Sequence, residues 1–188
     1  IGTAAGLDDI VAWESNGNSG SITESGLSLA DGQAVYLNAK ALNGIGVASE
    51  VVSSSAIRKV SLVSDSNAAR KQQAGSWVAL SNQVVTAKFQ DRFYVEQQDR
   101  ACGIGVLSAD SVSVGDRVTI YGQTQLVGQE ALIAGGAADV VSGEPLLPVA
   151  LANRAAGGAG VGIQPSPVDN AAANKPAAGL TNVGCLVT

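Results

Sequence analysis

The sequence predicts a mainly β protein organised around one five-stranded barrel, and three observations carry that expectation. Apolar residues recur with a period of two between Trp77 and Val141, in short runs separated by polar or glycine-containing turns. The hydrophobic share is 46% but the aromatic share only 4%, so a core must be built from Val, Ile, Leu and Ala, of which Val and Ile favour strands. No apolar run approaches the roughly 20 residues of a membrane-spanning helix.

Taken in order, the barrel elements read as follows. Val78, Leu80, Val84, Val85, Ala87 and Phe89 mark a first long strand, and Gln90-Asp91 turns the chain. Arg92–Glu96 returns as a second strand, Gln97–Arg100 is a polar turn, and Cys102–Leu107 is a third strand. A loop over Asp110–Gly115, holding Val112 and Val114, leads to a fourth strand over Arg117–Leu126. Gly128 turns the chain again, and a fifth strand begins at Glu130–Ala134. Five short strands closing on themselves form an OB-like barrel, which removes exposed sheet edges.

The flanking regions give three segments: 1–52 as a β-rich region, 53–142 as the barrel with a preceding helix, and 143–188 as an extended loop with a final strand. Within the first, Leu27 and Leu29 pair with Ala34–Leu42 across an Ala30-Asp31-Gly32 turn. Residues 14–21 form a hairpin tip across which Val11, Trp13 and Ile22 pack. Between Ser53 and Gln73 the spacing of Ala56, Ile57 and Val60 predicts a helix, with a short second turn over Asn67–Gln73. Residues 151–179 are rich in Ala, Gly, Asn and Pro and form a long Gly/Ala/Pro-rich loop without a core of its own. Leu180–Thr188 returns to strand-like residues. A loop of that length is uncommon inside a compact domain unless something holds it.

Composition narrows function. Charged residues are 14% against the roughly 25% of an average soluble domain. Such a surface suits a protein packed against copies of itself. The net charge of −5 with no basic block leaves little for phosphate contacts, so nucleic acid is not an expected partner. There is no histidine, which removes Ser-His-Asp and Cys-His nucleophilic sites and His-containing zinc sites. Gly103-Ile104-Gly105 and Gly157-Gly158 lack the Lys-Ser/Thr of a phosphate loop and read as turns or points of close approach. Asp8, Asp9, Asp65, Asp91, Glu96, Asp99, Asp110 and Asp116 read as loop acids, since neither a paired-carboxylate cleft nor a calcium loop surrounds them. Phe93 and Tyr94 are adjacent, so one faces the core and one the solvent, too thin a platform for stacking bases. Arg92, Arg100 and Arg117 are expected to pair with Asp91, Asp99 and Asp116. No catalytic, cofactor or metal residues are assigned, and the chain is expected not to be an enzyme.

Absence of Met and a start at Ile1 read as either a processed chain or a fragment of a longer one. Export would permit a disulfide between Cys102 and Cys185, within or between subunits; two buried free thiols are the alternative. No N-x-Ser/Thr sequon occurs, while Ser166, between Pro165 and Pro167, and Thr181 are candidate O-glycosylation sites, making glycans a candidate partner.

The stretch VVTAKFQDRFYVEQQDRACGIGV (84–106), with SVSVGDRVTIYGQT (111–124), resembles bacterial exported tandem-repeat proteins with OB-like β-barrel modules. PLLPVALANRAAGGAG (145–160) and GLTNVGCLVT (179–188) extend the resemblance, which covers about residues 76–188. It implies an exported surface or matrix module without established chemistry and carries over no catalytic residue. Cys102 and Cys185 depart from the pattern, and the chain stops where the family continues into another barrel. The tail NVGCLVT is itself similar to SNQVVTA (81–87).

A terminus ending on an unpaired strand recruits partners by strand addition. The leading expectation is therefore a structural subunit of an extracellular filament or surface layer. It would be a homopolymer assembled head-to-tail as Leu180, Val183, Cys185, Leu186 and Val187 of one copy enter a sheet of the next, with the 1–50 region as acceptor. The alternatives are a secreted OB-like binding module for carbohydrate or a protein partner, and an accessory domain of a larger secreted enzyme.

Overall fold

The computed structural model describes residues 1–100 and 102–148. The chain divides into two compact units, Ile1–Lys59 and Val60–Thr188. The described part is mainly β, with one short helix and a barrel-like ring of strands.

The second unit opens with strand β5 (Ser61–Leu62) and helix α1 (Ser66–Arg70), followed by β6 (Trp77–Lys88), β7 (Arg92–Glu96), β8 (Gly103–Leu107), β9 (Arg117–Val127) and β10 (Glu130–Val141). The sheet order is β5-β6-β7-β8-β10-β9, and β6 also pairs with β9, so β6, β7, β8, β10 and β9 run round a ring. Its pairs are antiparallel except β8 with β10, which is parallel; β5 lies parallel to β6 outside the ring. One strand serves two neighbours because β6 is long and bent. Register shifts lie between Leu80 and Gln83 and between Val85 and Ala87, and Asn82 at the first has φ 54°. Bulges of this kind bend a strand enough to close a barrel.

The period-two pattern becomes the core. Val78, Leu80, Val85, Phe93, Val95, Ile104, Val106, Val118, Ile120 and Ile133 point into one cluster, joined by Val112 from the loop before β9 and Ala69 from α1. Asp65 starts the helix: in extended backbone, its carboxylate accepts the Ala68 N–H at 2.6 Å. Two glycines set the curvature of the β9–β10 hairpin. Gly122 and Gly135 face each other, and a Cβ on Gly135 would stand 1.8 Å from the Tyr121 carbonyl oxygen. Only a residue without a side chain allows that approach.

The first unit is one long irregular hairpin. β1 (Ala34–Val35) pairs with β4 (Ile57–Arg58), β2 (Asn38–Ala39) with β3 (Val52–Ser53), and Leu42 bridges Ala48, all antiparallel. Between Leu42↔Ala48 and Ala39↔Val52 the first arm advances 42 − 39 = 3 residues and the second 52 − 48 = 4. The same mismatch recurs between Asn38↔Ser53 and Val35↔Ile57, so the second arm carries two one-residue bulges. Asn43 closes the tip: its carbonyl accepts the Gly46 N–H at 2.9 Å and its Oδ1 accepts the N–H groups of Ile45 and Val47.

Three expectations are corrected here. Ser53–Val60 is not a helix but carries strand residues of the hairpin's second arm, because Ser54 donates its N–H to the Leu37 carbonyl and accepts the Leu37 N–H on its hydroxyl. The helix is confined to Ser66–Arg70. Ala34–Leu42 does not pair with Leu27 and Leu29 but with residues 48–58, across the Asn43–Gly46 turn. The turn at 14–21 exists, with Ser19 N–H on the Asn16 carbonyl, yet no strands flank it. Ile22 is exposed, and Trp13 packs under the Lys40 ammonium, 4.1 Å from the ring centroid.

Candidate assembly surface

A backbone edge recruits another strand only where its N–H and C=O groups are unused. In the barrel the ring uses up most edges. The part of β10 beyond its pairing with β8 is blunted by Asp110, whose carboxylate accepts the Ala137 N–H at 2.7 Å. Lys88 Nζ donates to the Asp110 carbonyl at 2.7 Å and so holds that loop in place. β5 is only two residues long.

The hairpin unit differs. Among the described residues neither β3 nor β4 has a second neighbour, so the arm over 48–58 presents an open edge. The other arm is partly covered, since Gly2 pairs with Tyr36 through two backbone bonds. Asn38 holds that cover down: its amide nitrogen donates to the Leu7 carbonyl, and its Oδ1 accepts the Gly6 N–H at 3.0 Å and the Ser53 hydroxyl at 2.6 Å. Around the tip lie Leu42, Ile45 at 86% exposure and Val47, with Val52 at 71% further along the open arm. Residues 41–49 carry no charge. An uncharged apolar patch on an open edge is the surface that soluble proteins ordinarily avoid.

The residues singled out from sequence are placed unevenly. Leu180, Val183, Cys185, Leu186, Val187, Ser166 and Thr181 lie outside the described residues, and with them the strand, bridge and glycosylation expectations that involve them. Cys102 is buried and forms no disulfide among the described residues, and burial raises its pKa above the ordinary 9.0, with the Arg70 charge opposing. A thiol so held reacts slowly. Arg70, buried at the helix end, donates to the Gly103 carbonyl, and Arg100 meets the buried Glu96 at 3.5 Å. Arg92 pairs with Asp91 at 3.2 Å as expected, and the pair lowers the Asp91 pKa. Arg117 does not pair with Asp116. Its guanidinium reaches Asn82 and Gln98, while Asp116, in the loop before β9, accepts the Ser113 N–H.

Phe93 is buried, whereas Tyr94 lies half-buried on the outer face with its hydroxyl on Glu130 at 3.1 Å. Burial, then Glu130, raises the Tyr94 pKa. Phe89 stands edge-on to Tyr94 with ring centroids 5.9 Å apart. Gly105 makes room for the Tyr94 ring, since a Cβ there would lie 3.1 Å from Tyr94 Cε1 and would run into Leu132 Cδ2. Among the described residues no group of three or more metal-ligating side chains comes together, and no helix is long and apolar enough to cross a membrane.

Sequence reasoning passed over Asn38 and the Asn43-Gly44 tip, and read Asp110 only as a loop acid. The tip had a signal, an Asn-Gly pair between apolar residues. Asn38 and Asp110 act through the backbone of distant segments and have none.

No family model and no curated protein matches this chain. A solved structure, the hypothetical protein ygiW from E. coli, is similar at 20% identity and a TM-score of 0.31, over 47% of this chain and 90% of that one. A likeness at that score supports no functional statement.

Proposed function

We propose that this protein is a structural subunit of an extracellular filament or surface layer, that copies of it join by β-strand addition, and that its ring is an OB-type barrel serving as a rigid body rather than a reaction site. The observation that carries the reading is the contrast in edges. The barrel's strands are paired round a ring, whereas the hairpin unit leaves one long arm open beside exposed apolar side chains. Residues 180–188, uncharged and strand-like, are the donor, and the hairpin unit of the next copy is the acceptor. Backbone ladder bonds supply strength, and small alternating side chains set register. A head-to-tail contact of this kind yields an open filament unless its rotation closes.

The test is removal of residues 180–188. The intact protein is expected to form filaments or sheets in negative-stain images and the truncated one discrete particles. Equal assembly by both chains would end the strand-donation reading.

A second reading draws on the outer face of β7, where Phe89, Tyr94, Arg92 and Glu130 offer one aromatic edge among hydrogen-bonding groups. On that reading the protein is a binding module for carbohydrate or a protein partner. A glycan array separates the two, because binding there would depend on Phe89 and Tyr94 and not on residues 180–188.

A further inference from the structure

The hairpin geometry fixes which backbone groups are open, and this inference rests on the proposal that copies join by strand addition. Asn43 donates its N–H to the Val47 carbonyl at 3.0 Å, and Ser49 donates its N–H to the Ala41 carbonyl at 2.8 Å. Leu42 and Ala48 lie between these bonds as a facing pair, so their own N–H and C=O groups point away from the hairpin. By the period of two, Val47 and Ser49 turn inward while Ala48 and the Glu50 N–H turn outward; the Glu50 carbonyl accepts the Ser49 hydroxyl at 2.8 Å. The outward groups of Leu42 sit on the arm whose base is already covered by Gly2. Those of Ala48, together with the Glu50 N–H, sit on the arm that has no second neighbour among the described residues.

We infer that the acceptor is the outer edge of the second arm at Ala48 and Glu50, beside Val47 and Val52, and that its occupant is the segment 180–188 of another copy. The chain itself argues for that occupant. Residues 41–49 hold no charged side chain, and neither do residues 176–188; the Glu50 carboxylate is exposed, so the two strands meet without burying an unpaired charge. Forty residues, 149–188, follow the last described position. Fully extended they span at most about 140 Å, enough to reach a neighbouring copy. The bulge before Val52 limits the regular stretch, so the joint is short and centred on the tip.

Proline removes a backbone N–H donor and is tolerated on an edge where that N–H faces outward. The chain carrying both Ala48→Pro and Glu50→Pro is therefore expected to keep its hairpin, read by slow amide exchange at Asn43 and Ser49, and to lose assembly. Two lost ladder bonds weaken association by about thirtyfold. Ala48→Lys is measured beside it, since it leaves every backbone group in place and blunts the edge with charge alone. Light scattering and negative-stain images of the full chain report the outcome. Loss of assembly in both variants with the hairpin intact supports the assignment. Normal assembly in Ala48→Lys and the double-proline chain, while removal of 180–188 still abolishes it, overturns this edge and leaves strand addition standing. Assembly that survives removal of 180–188 overturns both.

Discussion

The barrel and the hairpin unit are built from similar residues and reach opposite ends of the same physics. In the barrel, alternating Val, Ile and Leu from strands of the ring meet in one cluster, and the pairing leaves little edge. In the hairpin unit Val35 is the sole hydrophobic residue among the buried ones, and the polar Asn38 joins it. Short two-stranded ribbons cannot bury both faces, and such ribbons are marginal in water unless something packs on them. The difference teaches that apolar composition does not by itself make a core. Ring closure turns the pattern inward, and without closure the same side chains become a surface.

That contrast can be broken from the barrel side first. Gly135→Val places branched carbons against the Tyr121 carbonyl, where even a Cβ would stand at 1.8 Å, and is expected to abolish the folded barrel, a loss above about 5 kcal/mol seen as a missing unfolding transition. Phe93→Ala, which empties a fully buried site, is expected to cost about 3–5 kcal/mol by denaturant midpoint. Ile45→Ser at the exposed tip should stay within about 0.5 kcal/mol in the same assay. A large loss at Ile45 would mean the tip is already packed.

Asn38→Ala sharpens the comparison from the other side. It leaves the Leu7 carbonyl without its amide donor and the Gly6 N–H with only the Ser53 hydroxyl, and is expected to cost the hairpin unit about 1–3 kcal/mol. The Gly6 amide should exchange faster while the amides of β6 do not change.

The smallest effect concerns the helix. Asp65→Ala removes the cap on Ala68 and is expected to cost about 1 kcal/mol. Bonding to Ser64, and then to the Ala68 N–H, holds the Asp65 pKa below its ordinary 3.8, against the opposing effect of burial. A carboxylate depressed in the folded state stabilises fully above the unfolded value and loses that contribution as pH falls through the folded value. The gap in unfolding midpoint between wild type and Asp65→Ala should therefore be constant near neutrality and close in acid below about pH 3.8.

These regions were also unequally legible in the sequence. Arg92–Glu96 was read at its observed limits, and β8, β9 and β6 within a residue or so, because their apolar runs are bounded by polar or glycine-containing turns. In the hairpin unit the strand alternation is broken twice by bulges, and the partner of Ala34–Leu42 lies across a turn rather than beside it. Ala56, Ile57 and Val60 then mimicked a helix, although Ser53-Ser54-Ser55 competes for backbone bonds and disfavours one. The joint itself was readable only as composition. Which edge is open depends on Leu42 facing Ala48, a register no local pattern fixes.

Hydrogen exchange compared between assembled and dispersed protein tests the central claim most directly. The account predicts that the amides of Ala48 and Glu50 and those of residues 180–188 become protected together on assembly, with β6 protected equally in both states. Assemblies in which residues 48–50 exchange as freely as in the dispersed chain would contradict it.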